Sequence, residues 1–175
     1  DIRMRKIPIF WRVMRRLLYR FADLVTINLS TNRQLLERYV PPEKIVYLPN
    51  PVHLPYAPEH KRIRKKNLLA VGRLTHQKGY DLLIPAYAES KCRLNGWNLL
   101  IVGDGEDQAR LNNMIKRLGI QFSTFILPSS TDLWLRHGDD SIFVMPSRFE
   151  GMPNALLEAI AHGLVPLVSD GVGDL

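Results

Sequence analysis

From Leu68 to Val168 the chain repeats one pattern: a short apolar run, a break, then apolar residues at helical spacing. Residues 68–71, 97–102, 122–127, 142–145 and 165–168 read as strands. Helices are expected over 80–91, 106–118 and 154–162, with a short one starting at 132–135. Gly119 and Gly163 stand where helix C-caps belong. Strands that alternate with helices predict an α/β fold, a Rossmann-like parallel sheet with helices on both faces.

The front of the chain is less regular. Residues 24–27 and 45–48 read as strands around a helix over 32–39. Ser30 or Thr31 is the expected cap, and Pro41 and Pro42 the stop. Pro49, Pro51, Pro55 and Pro58, followed by a run of charge, mark residues 49–66 as a linker. The organisation predicted is the tail of one α/β domain in 1–48, the linker, and a second domain in 67–175.

The stretch Ser147-Arg148-Phe149-Glu150-Gly151-Met152-Pro153-Asn154-Ala155-Leu156-Leu157-Glu158 follows the strand at 142–145. It reads as strand, tight loop and helix start, with Pro153 suited to the first helical position. A helix start favours a phosphate, through unpaired N–H groups and the positive end of the dipole. Carboxylates nearby suit hydroxyl groups. A ligand carrying both is a nucleotide or a sugar nucleotide. If helical rise applied throughout, the eight residues from Glu150 to Glu158 would span about 12 Å, the scale of a diphosphate bridge between two sugars.

These residues closely resemble the E-x7-E signature of retaining GT-B glycosyltransferases of the GT4 type. Val71-Gly72-Arg73-Leu74-Thr75-His76-Gln77-Lys78-Gly79-Tyr80-Asp81 is similar to that family's G-R-L…K-G block, and Leu100-Ile101-Val102-Gly103-Asp104-Gly105 to its I-V-G-D-G turn. A weaker fourth block joins Ala22-Asp23-Leu24-Val25 and Ser30 to Ile45-Val46-Tyr47-Leu48-Pro49-Asn50. The resemblance runs from about Ala22 to the end. It implies that 67–175 is the nucleotide-sugar donor-binding domain, C-terminally incomplete, and that 1–48 ends the acceptor-side domain. The chain is therefore expected to be a fragment, or one piece of a split enzyme, inactive alone.

The same resemblance assigns roles. Arg73 and Lys78 are the expected pyrophosphate ligands, able to stabilise the leaving group as the sugar bond breaks. Glu158 is the expected ribose ligand, and Glu150 the residue that meets the donor sugar. Gly72 and Gly103 border the nucleotide, and Gly151, Met152 and Asn154 are phosphate-donor candidates. The donor expected is a nucleotide-diphosphate sugar, most simply a UDP-sugar, with no cofactor. No metal is called for, and the chain has no Asp-x-Asp motif. Trp97 and Trp134 read as core. His53, His60, His137 and His162 have no constellation around them, and Asp139-Asp140 reads as a turn.

Net charge is +7, and its placement is uneven. Residues 1–66 hold 15 Lys and Arg against 5 Asp and Glu, while 67–175 hold 9 against 12. Ile9, Phe10, Val13, Met14, Leu17, Leu18 and Phe21 recur at helical spacing, with Arg12, Arg15, Arg16 and Arg20 on the other face. Two readings of this helix stand: a surface helix with a solvated Arg face, or one that touches anionic lipid through residues 3–20. Nucleic acid is disfavoured, because no recognition module accompanies the charge. The lone Cys92 forms no internal disulfide, and no apolar run reaches membrane-span length. A cytoplasmic protein is expected, peripheral on the inner face of the plasma membrane in the lipid reading.

The implied reaction is hexosyl transfer from the nucleotide sugar to a glycan or lipid-linked acceptor with retention, in bacterial surface-polysaccharide or glycolipid synthesis. Two alternatives share the architecture: a non-catalytic donor-binding subunit of a split glycosyltransferase, and a sugar-nucleotide epimerase.

Overall fold

The computed structural model describes residues 8–52, 64–137 and 139–172. Residues 3–7 of the basic segment and 53–63 of the expected linker lie outside the described residues. Contacts divide the chain into two compact units. The first comprises residues up to 51 with Glu150–Met152, and the second residues 52–149 with 153–172.

In the first unit, helix α1 (Ile9–Leu18) leads through a 3-10 turn (Tyr19–Phe21) to strand β1 (Val25–Ile27). Helix α2 (Arg33–Leu36) and a second strand, β2 (Ile45–Tyr47), follow, and β1 and β2 pair in parallel. Ile27, Leu36, Val40 and Ile45 form a small core. The expected helix over 32–39 is shorter than predicted. A 3-10 turn (Ser30–Asn32) opens it, and no side chain caps either segment. Without a cap the first amides lack an acceptor, which favours the tighter turn. No residue of α1 is buried, and its apolar side chains Ile9, Phe10, Trp11, Val13, Leu17 and Leu18 are exposed.

The second unit is a five-stranded, wholly parallel sheet. Its elements are β3 (Lys65–Val71), α3 (Tyr80–Glu89), α4 (Lys91–Leu94), β4 (Asn98–Val102), α5 (Gln108–Arg117), β5 (Thr124–Leu127), α6 (Leu133–His137), β6 (Asp140–Met145), α7 (Asn154–Ala161) and β7 (Val165–Val168). Strand order is β5-β4-β3-β6-β7. Successive residues of a strand face opposite sides, and the core divides accordingly. Leu68, Ala70, Leu99, Ile101 and Val144 pack with Tyr80, Ile84, Leu111 and Ile115 from α3 and α5. Leu69, Val102, Phe143 and Met145 pack with Leu156 and Ala159 of α7. Helices thus cover both faces, as the alternation predicts.

Four local expectations differ. Strand β3 starts at Lys65, three residues before the apolar run, because the Lys65 amide reaches the Asp139 carbonyl at 3.0 Å. Asp140 accordingly opens β6 and is not a turn residue. The helix expected over 80–91 stops at Glu89. Ser90 is extended (ψ 151°), and its amide and hydroxyl both return to the Tyr87 carbonyl, at 3.0 and 2.7 Å. Pro153 is the N-cap of α7 and not its first helical residue.

Candidate functional site

The sheet grows outward from β3 in both directions, through β4 to β5 on one side and through β6 to β7 on the other. Connections therefore diverge between β3 and β6, and a crevice opens beyond the C-terminal ends of these strands. The loops that leave β3, β4 and β5 line a cleft of about 410 Å³, with Gly72, Arg73, Gly103, Asp104, Ser129 and Leu133 in its walls. It adjoins a cavity of about 670 Å³ lined by Leu127, Pro128, Arg136 and His137, which shares Val102, Ser129, Ser130 and Leu133.

Main-chain bonds continue the sheet into this rim. The Gly72 amide donates to the Val102 carbonyl at 3.0 Å, Leu74 to Asp104 at 2.9 Å and Gly103 to Leu127 at 2.9 Å. Gly103 has φ +155°, and a Cβ there would collide with the Gly72 carbonyl oxygen. Only glycine permits this approach. The Asp104 carboxylate accepts from the Ser129 hydroxyl and, at 3.0 Å, from the Ser129 amide. The hydroxyl bond, then the amide bond, holds its pKa below the usual carboxylate value.

Lys78 ends a 3-10 turn (His76–Lys78), and Gly79 follows in the left-handed region at φ +70°. The Lys78 side chain folds over Gly72: a Cβ on Gly72 would stand 3.0 Å from Lys78 Cε. The turn is fastened to the segment after β6. Arg148 donates to both Asp81 carboxylate oxygens, at 2.7 and 2.9 Å, and to the His76 carbonyl at 2.7 Å. The Arg148 amide meets the Gln77 carbonyl at 2.8 Å, and the Gln77 side-chain amide donates to the Phe149 carbonyl at 3.0 Å. The Asp81 pKa is lowered, first by the Arg148 hydrogen bond, against a smaller opposing effect of burial.

Glu158 lies one turn into α7, where its Oε2 accepts the Trp134 indole N–H at 2.8 Å. The indole stacks on His162 (centroids 5.2 Å apart, 15° between planes) and tilts against Phe143 at 6.3 Å. Trp134 packs against the core as expected but also carries a polar contact, and His162 has a constellation after all. Neither was legible, because residues 134, 158 and 162 meet only when α6 docks on α7. Asn154 is exposed at the first position of α7.

The structure brings Gly72, Arg73 and Gly103 to one cleft and Lys78 to its edge. Glu158 is not among the residues lining either cavity; it bonds Trp134, the neighbour in α6 of the wall residue Leu133. Glu150, Gly151 and Met152 lie in the β6–α7 connection and group with the first unit. Helical rise begins only at Asn154, so no single helix spans Glu150 to Glu158. The Arg148–Asp81 pair, the Asp104–Ser129 pair and Trp134 had no signature of their own in the sequence.

Among the described residues no group of His, Cys, Asp and Glu has the arrangement of a metal site. No described helix is long and apolar enough to cross a membrane.

Comparison with known proteins agrees with this geometry. An uncharacterised glycosyltransferase of Haemophilus influenzae is 31% identical over 150 residues, 85% of this chain and 42% of that protein. A Campylobacter jejuni N-acetylgalactosamine-N,N'-diacetylbacillosaminyl-diphospho-undecaprenol 4-alpha-N-acetylgalactosaminyltransferase is 31% identical over 160 residues, 88% of this chain and 43% of that one. The chain thus spans less than half the length of these relatives. Among solved structures, the lipopolysaccharide outer core galactosyltransferase WaaB aligns with a TM-score of 0.68 and 26% identity, over 88% of this chain and 45% of that one. The family model for glycosyl transferases group 1 matches residues 57–174, more than half of the sequence. With its parallel sheet, its G-R-L…K-G loop and this match, the chain belongs to the group 1 glycosyltransferases of the GT-B fold.

Proposed function

We propose that the chain supplies the donor-binding domain of a retaining glycosyltransferase that moves a hexosyl unit from a UDP-sugar to a glycan or lipid-linked acceptor. The observation that carries this reading is the meeting of Arg73, Gly72 and Gly103 in one cleft, with Lys78 folded over Gly72. Two cations at the ends of central strands suit a diphosphate. As the bond from the anomeric carbon to the diphosphate oxygen breaks, negative charge builds on the leaving phosphate. Arg73 and Lys78 stabilise that charge more than the ground state, which accelerates the step. Glu158 accepts the ribose hydroxyls, and Glu150 meets the hydroxyls of the transferred sugar. Gly151, Met152 and Asn154 contribute at the start of α7. The reaction needs no metal in this scheme, since both phosphates are met by protein cations and amides.

The names of the relatives indicate the biological setting. The Campylobacter relative acts on a diphospho-undecaprenol-linked glycan, and WaaB on lipopolysaccharide outer core. A lipid-linked or surface-glycan acceptor in bacterial polysaccharide synthesis follows for this protein by analogy. The exposed apolar side of α1, with its arginines opposite, supports a peripheral position on an anionic cytoplasmic membrane face.

Calorimetric titration with UDP, GDP and ADP tests the donor site. Selective binding of UDP, weakened about tenfold or more in Arg73→Ala and in Glu158→Ala, is expected for lost charge-assisted bonds. Equal binding by both variants would remove the assignment.

A further inference from the structure

We infer that Trp134 is a positioning residue for ribose recognition: its indole N–H sets the direction in which Glu158 presents its carboxylate. The inference rests on the donor-site reading above and adds a residue that the family motifs do not contain.

His162 is the C-cap of α7, and its amide meets the Glu158 carbonyl at 3.0 Å, so the two residues stand one turn apart at the end of that helix. Trp134 engages both. Its ring stacks on His162, and its N–H donates to Glu158 Oε2 at 2.8 Å. Phe143, which is wholly buried in the sheet, tilts against the same indole at 6.3 Å. A ring held by stacking, tilted packing and a hydrogen bond keeps few rotamers. The N–H therefore points one way, and the carboxylate at its end is held with it.

The choice of donor matters chemically. An arginine or lysine at this place would orient Glu158 equally well but would offset its charge. An indole is neutral and donates only one proton. It occupies one lone pair of Oε2 and leaves the negative charge and the other acceptor positions to two neighbouring hydroxyls, the pattern of a ribose. Charge-assisted bonds to those hydroxyls are the stronger kind. Trp134 also follows directly on Leu133, a wall residue of the cleft. Ligand contact with α6 and orientation of Glu158 are thereby linked through two adjacent residues.

The test compares UDP with 2′-deoxy-UDP by calorimetry. The unaltered chain should prefer UDP by about tenfold, the usual scale for one bond to a charged group. Trp134→Phe keeps a ring in contact range of His162 and Phe143 and removes the N–H. It should weaken UDP and narrow the preference to about twofold or less. A folded Trp134→Phe chain that keeps the full preference overturns the inference, even if both ligands bind less well, because that pattern reports general structure only. If circular dichroism shows the variant unfolded, hydrogen exchange at the Trp134 indole of the unaltered chain decides. Protection that is lost in Glu158→Ala, which removes the acceptor, supports the bond, and rapid exchange indifferent to Glu158 overturns it. Failure of UDP, GDP and ADP alike to bind removes the donor-site reading and the ribose role with it. Binding with an unchanged ratio removes only the role of Trp134.

Discussion

Arg148 and Asp81 are 67 positions apart and meet as a two-pronged ion pair, with N–O distances of 2.7 and 2.9 Å. Arg148 belongs to the loop that follows β6, and Asp81 opens the helix that follows Lys78. The pair therefore joins the two sides of the switch point, and the His76 carbonyl accepts a third bond from the same guanidinium. A planar guanidinium matches a carboxylate in this geometry, and a lysine ammonium does not. The turn that carries Lys78 is held by these bonds more than by burial, since no residue of that turn is buried.

Loosening this clamp should misplace Lys78. Arg148→Ala and Asp81→Asn are each expected to lower UDP affinity about tenfold, because groups a fraction of an ångström out of place lose much of their effect. The double variant should lose little more than either alone, since both changes break one link. Calorimetry on the three variants measures this, and losses that simply add would show that the residues act separately.

The same pair predicts an acid-sensitive contribution to stability. Arg148 holds the folded-state pKa of Asp81 below its unfolded value. The unfolded chain therefore binds this proton more readily. The stabilisation is fully present above the unfolded pKa of about 3.9, and fades as pH falls through the lower folded value. Thermal melts from pH 3 to 7 should show the unaltered chain more stable than Asp81→Asn above about pH 5. The gap should close towards pH 3. A gap that widens in acid would contradict the sign.

The sheet centre should respond differently from the surface. Leu69 is fully buried between β3 and α7, whereas Phe122 is 85% exposed. Leu69→Ala should cost about 2–5 kcal/mol, from lost transfer energy and the cavity left behind. Phe122→Ala should stay within about 0.5 kcal/mol. Urea denaturation measures both, and similar losses would mean that the core is misassigned.

Helix α1 should bind vesicles containing anionic phospholipid and ignore neutral ones. Charge reversal at Arg12, Arg15 and Arg16 should abolish co-sedimentation, and about 0.5 M salt should weaken it strongly, since the Debye length is then well under 10 Å. Binding that persists in both conditions would point to the apolar side alone.

Much of the second unit is legible in the sequence. Short continuous apolar runs alternating with helices predict a sheet buried on both faces, and Leu68 and Leu69 do pack on opposite sides. Gly119 and Gly163 close their helices in the left-handed region, as expected. These signals are local, carried by residues a few positions apart. Element ends were less legible. Lys65 joins β3 because Asp139 offers its amide a partner, and no property of the lysine itself announces that.

Local spacing along the chain is enough to specify which segments are strands and helices, where glycines must stand, and which motif residues follow the ends of β3, β4 and β6. Tertiary structure alone decided that β3 lies beside β6, so that the loops bearing Arg73 and Arg148 share one edge of the sheet. It also decided that Glu158 meets Trp134 and that Asp104 meets Ser129. The physical reason is range. Helix and strand formation depend on dihedral preference and apolar spacing within one element. The direction of a carboxylate depends on a donor that another element brings to it, and that donor arrives only when the helices pack.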